Sequence, residues 1–133
     1  MNGVLSGPAL DASAIALIVG RSLIALLFVL AGAAKILGPA PFIEHMVRFG
    51  VPTLLLPGVI ALELGGGLWL LSGYRAGYAA IALGLFCVLT AGIFHHDLGD
   101  KAERTLFFKD LAIAGGLFVL AAVTTGGARQ PVA

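Results

Sequence analysis

An acidic side chain inside an apolar stretch is the first candidate for chemistry in this sequence. Glu63 lies 11 residues after Pro52 in a run that is otherwise apolar. At the helical rise this is roughly 16 Å, about half the thickness of the hydrocarbon core of a bilayer. A carboxylate at that depth costs several kcal/mol unless it is paired or neutralised, so it usually faces the interior of a helix bundle. Glu63 is therefore a candidate acid–base residue or one half of a buried ion pair.

Arg21 is a second charge inside an apolar run, and the sequence predicts that it is the partner of Glu63. Arg21 precedes Lys35 by 14 residues, which is about 21 Å along a helix. Measured from the same membrane face, Arg21 and Glu63 then lie at similar depth. The three glycines at 65–67 would let the two helices approach closely. Such a pair either fixes the register of the helices and nothing more, or also takes part in chemistry.

Further polar residues are expected to meet at one membrane face, where antiparallel helices bring the end of one apolar run beside the start of the next. These residues are Lys35, His95, His96, Lys109 and Asp110, beside a short amphipathic segment that carries Glu44 and His45. Adjacent residues on a helix point about 100° apart, so His95 and His96 cannot chelate a metal by themselves. We predict no metal site. Lys109 and Asp110 should likewise diverge, one toward the bundle and one toward the lipid headgroups.

Composition indicates the environment of these groups. Hydrophobic residues make up 59% of the 133 residues and charged residues 11%, whereas soluble domains average about half and a quarter. A soluble domain of this size has too much surface to hide so many apolar side chains. The net charge of +1 suggests no nucleic-acid partner. The single cysteine, Cys87, allows neither an intrachain disulfide nor a C-x-x-C pair.

The order of the apolar runs predicts an all-α membrane protein, formed by residues 1–133 as one domain. Four spans are expected at about 13–36, 51–73, 77–95 and 105–124, with a short tail over 1–11 and a polar loop over 97–104. The amphipathic segment after the first span predicts a short helix lying in the membrane interface. Short connections favour an antiparallel four-transmembrane-helix bundle in the lipid bilayer.

Several short motifs, taken in order, resemble the DoxX family over roughly residues 15–125. They are Arg21 early in the first span, Gly32-Ala33-Ala34-Lys35 at its end, Glu63-Leu64-Gly65-Gly66, the turn Leu71-Ser72-Gly73-Tyr74-Arg75, His95 or His96, and Lys109-Asp110. The resemblance implies a small four-helix protein of the bacterial inner membrane. Some members of that family are subunits of a thiosulfate:quinone oxidoreductase, and others are associated with redox-stress complexes. A related MauE-like branch uses cysteines that this chain lacks.

Two functions follow from the resemblance. In the first, the protein is a redox-linked membrane subunit, an oxidoreductase component if it is catalytic, whose buried polar cluster contacts quinone or passes protons. Glu63, His95 and His96 are then the catalytic candidates, and Arg21, Lys35, Lys109 and Asp110 would contact the cofactor. No haem, flavin or iron–sulfur ligand set is visible in the sequence, so electrons would come from a redox partner protein. In the second, the protein is a non-catalytic scaffold or assembly partner whose polar network only specifies the bundle. A homo-oligomer is compatible with both.

Overall fold

The computed structural model describes residues 11–127, and this part of the chain is helical with no strand. The helices are α1 (Ala12–Leu37), α2 (Ala40–Arg48), α3 (Thr53–Ser72), α4 (Ala76–Phe94) and α5 (Lys101–Gly127). Four of them, all except α2, are long and apolar enough to cross a membrane. The predicted four-helix membrane bundle with a short helix after the first span is therefore confirmed. The predicted tail over 1–11 lies, apart from Asp11, outside the described residues.

Local signals in the sequence explain where the first two helices begin and end. The side chain of Asp11 caps α1 by accepting a hydrogen bond of 2.8 Å from the N–H of Ala14, which satisfies one of the free donors of the first turn. Gly38 ends α1. Pro41 stands in the first turn of α2, where its missing N–H costs nothing. Gly50 then turns the chain with a φ of 73°, a conformation that favours glycine.

The fifth helix begins earlier than the sequence suggested, so the polar loop predicted over 97–104 is wrong in its second half. α5 starts at Lys101, and the N–H of Arg104 already donates to the carbonyl of Asp100 at 2.8 Å. Ala102, Glu103 and Arg104 are strong helix formers, and Glu103 in the first turn is favoured by the helix dipole. The charges of this segment therefore belong to a helix face, and this gives Glu103 a fixed direction.

The core lies mainly between α4 and α5, and it is built largely from small residues. Leu70, Leu83 and Leu117 are the largest fully buried side chains. Around them α4 presents a row of alanines and glycines, which includes Ala76, Gly77, Ala79, Ala80, Gly84 and Ala91. A Cβ on Gly84 would lie 2.6 Å from the ring of Phe118. Small residues thus let the helices pack closely, as is usual for helices in membranes.

Close contact between α1 and α3 sets the register of the two helices. A Cβ added at Gly32 would lie 2.9 Å from the backbone nitrogen of Leu64, and one at Gly67 would lie 3.0 Å from that of Val29. The expectation that glycines 65–67 let these helices approach is thus met by Gly67 alone. Gly66 instead faces Leu83 of α4, and Gly65 faces open space.

The contact at Gly67 leads to a stability prediction. Gly67→Ala should lower the free energy of unfolding by about 1–3 kcal/mol, because the methyl group would push apart two backbones that cannot yield locally. Gly58→Ala is the matched control on the same helix, since no atom lies within 4 Å of its added Cβ. Thermal unfolding in detergent measures both. Equal melting temperatures for the two variants would contradict the close approach of α1 and α3.

Candidate ligand cavity

A π-helical turn carries the buried carboxylate of α3. Residues Ala61–Gly65 form this turn, with ordinary α-helix on both sides. Glu63 at its centre is 5% exposed and is the only buried charged residue between residues 11 and 127. Single π turns inside α-helices often occur at functional sites. The glycines that follow Glu63 have low helix propensity, so this segment tolerates irregular geometry.

Lys35 of α1 is the ionic partner of Glu63. Its Nζ lies 2.7 Å from Oε1 of Glu63, with side chains that are 15% and 7% exposed. The same Nζ lies 4.6 Å from the ring centroid of Phe42 on α2, within range of a cation–π interaction. Each carboxylate oxygen of Glu63 has lone pairs for more than one hydrogen bond. The pair therefore balances charge but leaves a buried carboxylate oxygen able to accept a hydrogen bond.

The predicted pairing of Arg21 with Glu63 is wrong. The guanidinium of Arg21 instead packs against Gly73 at the far end of α3. Its Nε is buried without a hydrogen-bond partner in the part of the chain that the structure covers. Arg21 therefore lies at the opposite end of the bundle from Lys35, and it is not one of the cavity residues.

The error has a geometric cause. The depth argument treated the end of α1 and the start of α3 as level. The contact of Gly32 with Leu64 places the end of α1 about level with residue 59, which is six residues, or roughly 9 Å, inside α3. The first residues of α3 pack against α2 instead. Glu63 consequently lies near the level of Lys35 and far from that of Arg21.

A cavity of about 380 Å³ opens beside the Lys35–Glu63 pair, with lining residues from all five helices. Most of its wall is apolar, including Phe28, Met46, Phe86 and Ile113. Its polar lining residues are Lys35, His45, Glu63, Cys87, Thr90, His95 and Asp110. An apolar pocket of this size with a few convergent polar groups is the usual form of a small-molecule site.

His95 connects the end of α4 with α5 through both of its ring nitrogens. Nδ1 lies 2.9 Å from Oε2 of Glu103, and Nε2 lies 3.9 Å from Oδ2 of Asp110. The hydroxyl of Thr90 also donates to Oδ2 of Asp110, at 3.5 Å. Asp110 and His95 line the cavity, whereas Glu103 lies outside it. The early start of α5 produces this arrangement, because Glu103 and Asp110 are separated by two helical turns on one face.

His45 extends from α2 over the same end of the cavity. Its ring stacks on Phe94 at 4.9 Å and contacts Phe49 at 5.0 Å, with the ring of His95 6.4 Å away. Burial lowers the pKa of His45 below its usual value of 6.5, and the positive charges of Arg48 and His95 lower it further. His45 is therefore mainly neutral near pH 7, and its protonated form is disfavoured in the folded protein.

The structure brings four of the predicted site residues together and leaves three apart. Lys35, Glu63, His95 and Asp110 line the cavity. Arg21, His96 and Lys109 do not. His96 is exposed, with Nδ1 3.0 Å from the carbonyl oxygen of Ile93, and Lys109 is exposed on the outer face of α5. The expected divergence of Lys109 and Asp110 is confirmed.

Two polar residues of this site did not emerge from the sequence. Thr90 stands in an apolar helix, where a single threonine gives no signal of a site. Glu103 was assigned to a loop. The spacing of seven residues between Glu103 and Asp110 would have indicated a shared face had α5 been extended to Lys101. Between residues 11 and 127, no three His, Cys, Asp or Glu side chains are grouped closely enough to hold a metal ion.

Four membrane-crossing helices around a mainly apolar cavity, with one buried carboxylate and further titratable groups in its wall, define a small polytopic membrane protein with a cavity of ligand size. A family model, DoxX, matches residues 16–96. The chain belongs to the DoxX family.

Two relatives from Escherichia coli (strain K12) match along most of their length. Inner membrane protein YqjF is 40% identical over 114 residues, which cover 86% of this chain and 87% of that protein. Inner membrane protein YphA is 29% identical over 119 residues, covering 84% of each chain. No solved structure matches significantly. The protein is thus an integral, multi-pass protein of the bacterial inner membrane.

A double-mutant cycle tests the partner of Glu63. Lys35→Leu and Glu63→Leu should each destabilise the protein, because each leaves a buried charge unpaired, at a cost of about 3–5 kcal/mol that water penetration in a bilayer reduces. The double variant should regain part of the loss. Arg21→Leu combined with Glu63→Leu is the control and should give additive losses. Thermal unfolding in detergent is the measurement, and coupling to Arg21 in place of Lys35 would refute the observed register.

The lowered pKa of His45 predicts a loss of stability in acid. The contribution of neutral His45 to the free energy of unfolding is fully present above pH 6.5, its usual pKa. It is lost as the pH falls from 6.5 toward the lower pKa of the folded state, because the unfolded chain then binds a proton more readily. Melting temperatures measured between about pH 7 and pH 5 should fall less for His45→Phe than for the wild type. His96→Phe, at an exposed position, should follow the wild-type curve. Identical curves for all three proteins would contradict the assignment to His45.

Proposed function

We propose that the protein is a membrane subunit of a quinone-linked redox system and that it binds a quinone headgroup in the cavity. The observation that carries this proposal is the buried carboxylate of Glu63. It is held beside Lys35, has oxygen lone pairs that can accept a further hydrogen bond, and borders a mainly apolar space of about 380 Å³. Charged groups so deep in a membrane protein commonly mark functional sites. An amphiphilic ligand with polar oxygens on an apolar ring matches both the Lys35–Glu63 pair and the apolar wall.

The residues of the cavity fit the chemistry of a quinone. The ammonium of Lys35 has three N–H donors and can share them between Glu63 and a carbonyl oxygen of the ligand. The carboxylate of Glu63 can accept from a ligand hydroxyl. The apolar wall, including Phe28 and Phe86, would hold the ring and exclude water. When bound, a quinone supplies the two-electron redox chemistry that these side chains lack.

The protein side chains have separate tasks in this proposal. Lys35 orients the ligand oxygen and stabilises negative charge there. Glu63 holds or releases a proton at Oε1 as the charge of its surroundings changes. Asp110, held by the hydroxyl of Thr90, provides a second carboxylate in the cavity wall, from α5. Electrons would come from a redox partner protein, and the resemblance to a family with quinone-oxidoreductase subunits supports such a partner.

A purely structural role for the polar groups has less support. The glycine contacts at Gly32 and Gly67 also hold α1 against α3, so the ion pair does not set the register alone. A scaffold would also have no need for a cavity beside that pair, where filling it with larger side chains would stabilise the bundle. The scaffold function remains as the alternative outcome of the experiment below.

Bound quinone is the direct test. Protein purified from membranes in mild detergent and extracted with organic solvent should yield quinone in proportion to protein. Lys35→Met and Glu63→Gln should lower its occupancy about tenfold or more, which corresponds to roughly 1.4 kcal/mol in binding. The matched controls are Lys109→Met and Glu44→Gln, which change the same residue types at exposed positions.

The contrary result is equally clear. If the wild type yields no quinone and binds no added ubiquinone analogue in nanodiscs, the proposal is wrong. Isolation of a stable partner protein together with quinone-free wild type would establish the scaffold function instead.

A further inference from the structure

A chain of three acid–base groups leads from the cavity to the start of α5. Asp110 lines the cavity, His95 stands between the two carboxylates, and Glu103 lies in the first turn of the helix. The loop before α5, residues 97–100, is exposed. The chain of groups therefore connects the cavity with the end of the bundle where polar residues concentrate.

The geometry of His95 differs from that of a histidine that serves only as a structural anchor. One contact, the 2.9 Å approach of Nδ1 to Glu103, would be enough to fasten the end of α4 to α5. The second nitrogen also faces a carboxylate, at 3.9 Å, and that carboxylate belongs to the cavity. An imidazole with a different acid on each nitrogen can take up a proton on one side and release it on the other. The gap at Nε2 is one that a small ring rotation or a single water molecule spans.

We propose that Glu103, His95 and Asp110 form a proton path between the aqueous face and the cavity, with Glu103 as the entry group. The role of the path in turnover rests on the function proposed above. One proton from water binds Glu103 and passes to Nδ1 of His95. The proton on Nε2 then passes to the Asp110 carboxylate, which leaves His95 as the neutral tautomer with its proton on Nδ1. One proton enters and one is delivered, with no electron transferred.

Charged and titratable groups of the other helices lie near this path and affect the charge of its members. The ring of His45 on α2 lies 6.4 Å from that of His95. The positive charge of Arg48 lies close enough to His45 to disfavour protonation of His45. Lys109 adjoins Asp110 in α5. The Lys35–Glu63 pair lines the same cavity from α1 and α3. A second positive charge near His95 would oppose its protonation, so a mainly neutral His45 favours transfer through His95.

Proton delivery to Asp110 can be followed separately from ligand binding. The full chain is placed in nanodiscs, the pH is lowered rapidly from about 8 to about 5, and protonated carboxyl groups are recorded by time-resolved infrared spectroscopy. The band that disappears in Asp110→Asn reports on Asp110. It should rise about 100-fold more slowly in Glu103→Gln and in His95→Gln. Glu44→Gln and His96→Gln, at exposed positions, should match the wild type.

Chemical rescue distinguishes a proton path from a merely structural contact. Formate in the buffer, a small proton carrier, should restore the rate in Glu103→Gln, where only entry is blocked, and Glu103→Asp should retain most of it. An unchanged rate in Glu103→Gln, a slow rate that formate does not restore, or the lack of any Asp110 band would overturn the path. Binding of the ubiquinone analogue is measured in the same nanodiscs. If the wild type does not bind the analogue, the quinone proposal is wrong. The protonation rates of the variants then still test the proton path by themselves.

Discussion

The constraint on which this structure depends is the cost of holding the carboxylate of Glu63 inside an apolar bundle. Glu63 is almost fully buried on a helix that crosses the membrane, so it requires a positive partner within a few ångströms. Lys35 meets this requirement at 2.7 Å. For the two charges to meet, α1 and α3 must approach closely at one register, and Gly32 and Gly67 permit this approach.

The cavity is a consequence of the same packing. Residues of all five helices surround the ion pair, but the glycine and alanine rows that bring the helices together do not fill the space beside it. α2 closes part of this space with the rings of Phe42 and His45. A tightly packed interior would be the more stable arrangement. This charged, partly open site inside a bundle otherwise built from close contacts is the feature on which the proposal of ligand binding rests.

In two pairs of adjacent residues, one side chain faces the cavity and the other faces outward. His95 faces the cavity while His96 is exposed, and Asp110 faces it while Lys109 is exposed. The angle of about 100° between neighbouring residues separates each pair. Each pair therefore offers one cavity residue to mutate and one exposed neighbour for the control variant.

Hydropathy and composition by themselves determined the class of this protein, its four spans and the membrane face at which Lys35, His95 and Asp110 meet. These properties depend on local sequence, because a long apolar run has few alternatives to a membrane helix. Only the tertiary structure decided that Glu63 pairs with Lys35 and not with Arg21, since the register of α1 against α3 is set by contacts between residues far apart in the chain. It also decided that α5 begins at Lys101, which turns Glu103 toward His95. A depth counted from helix ends cannot supply this information, because the ends of neighbouring helices need not lie in one plane.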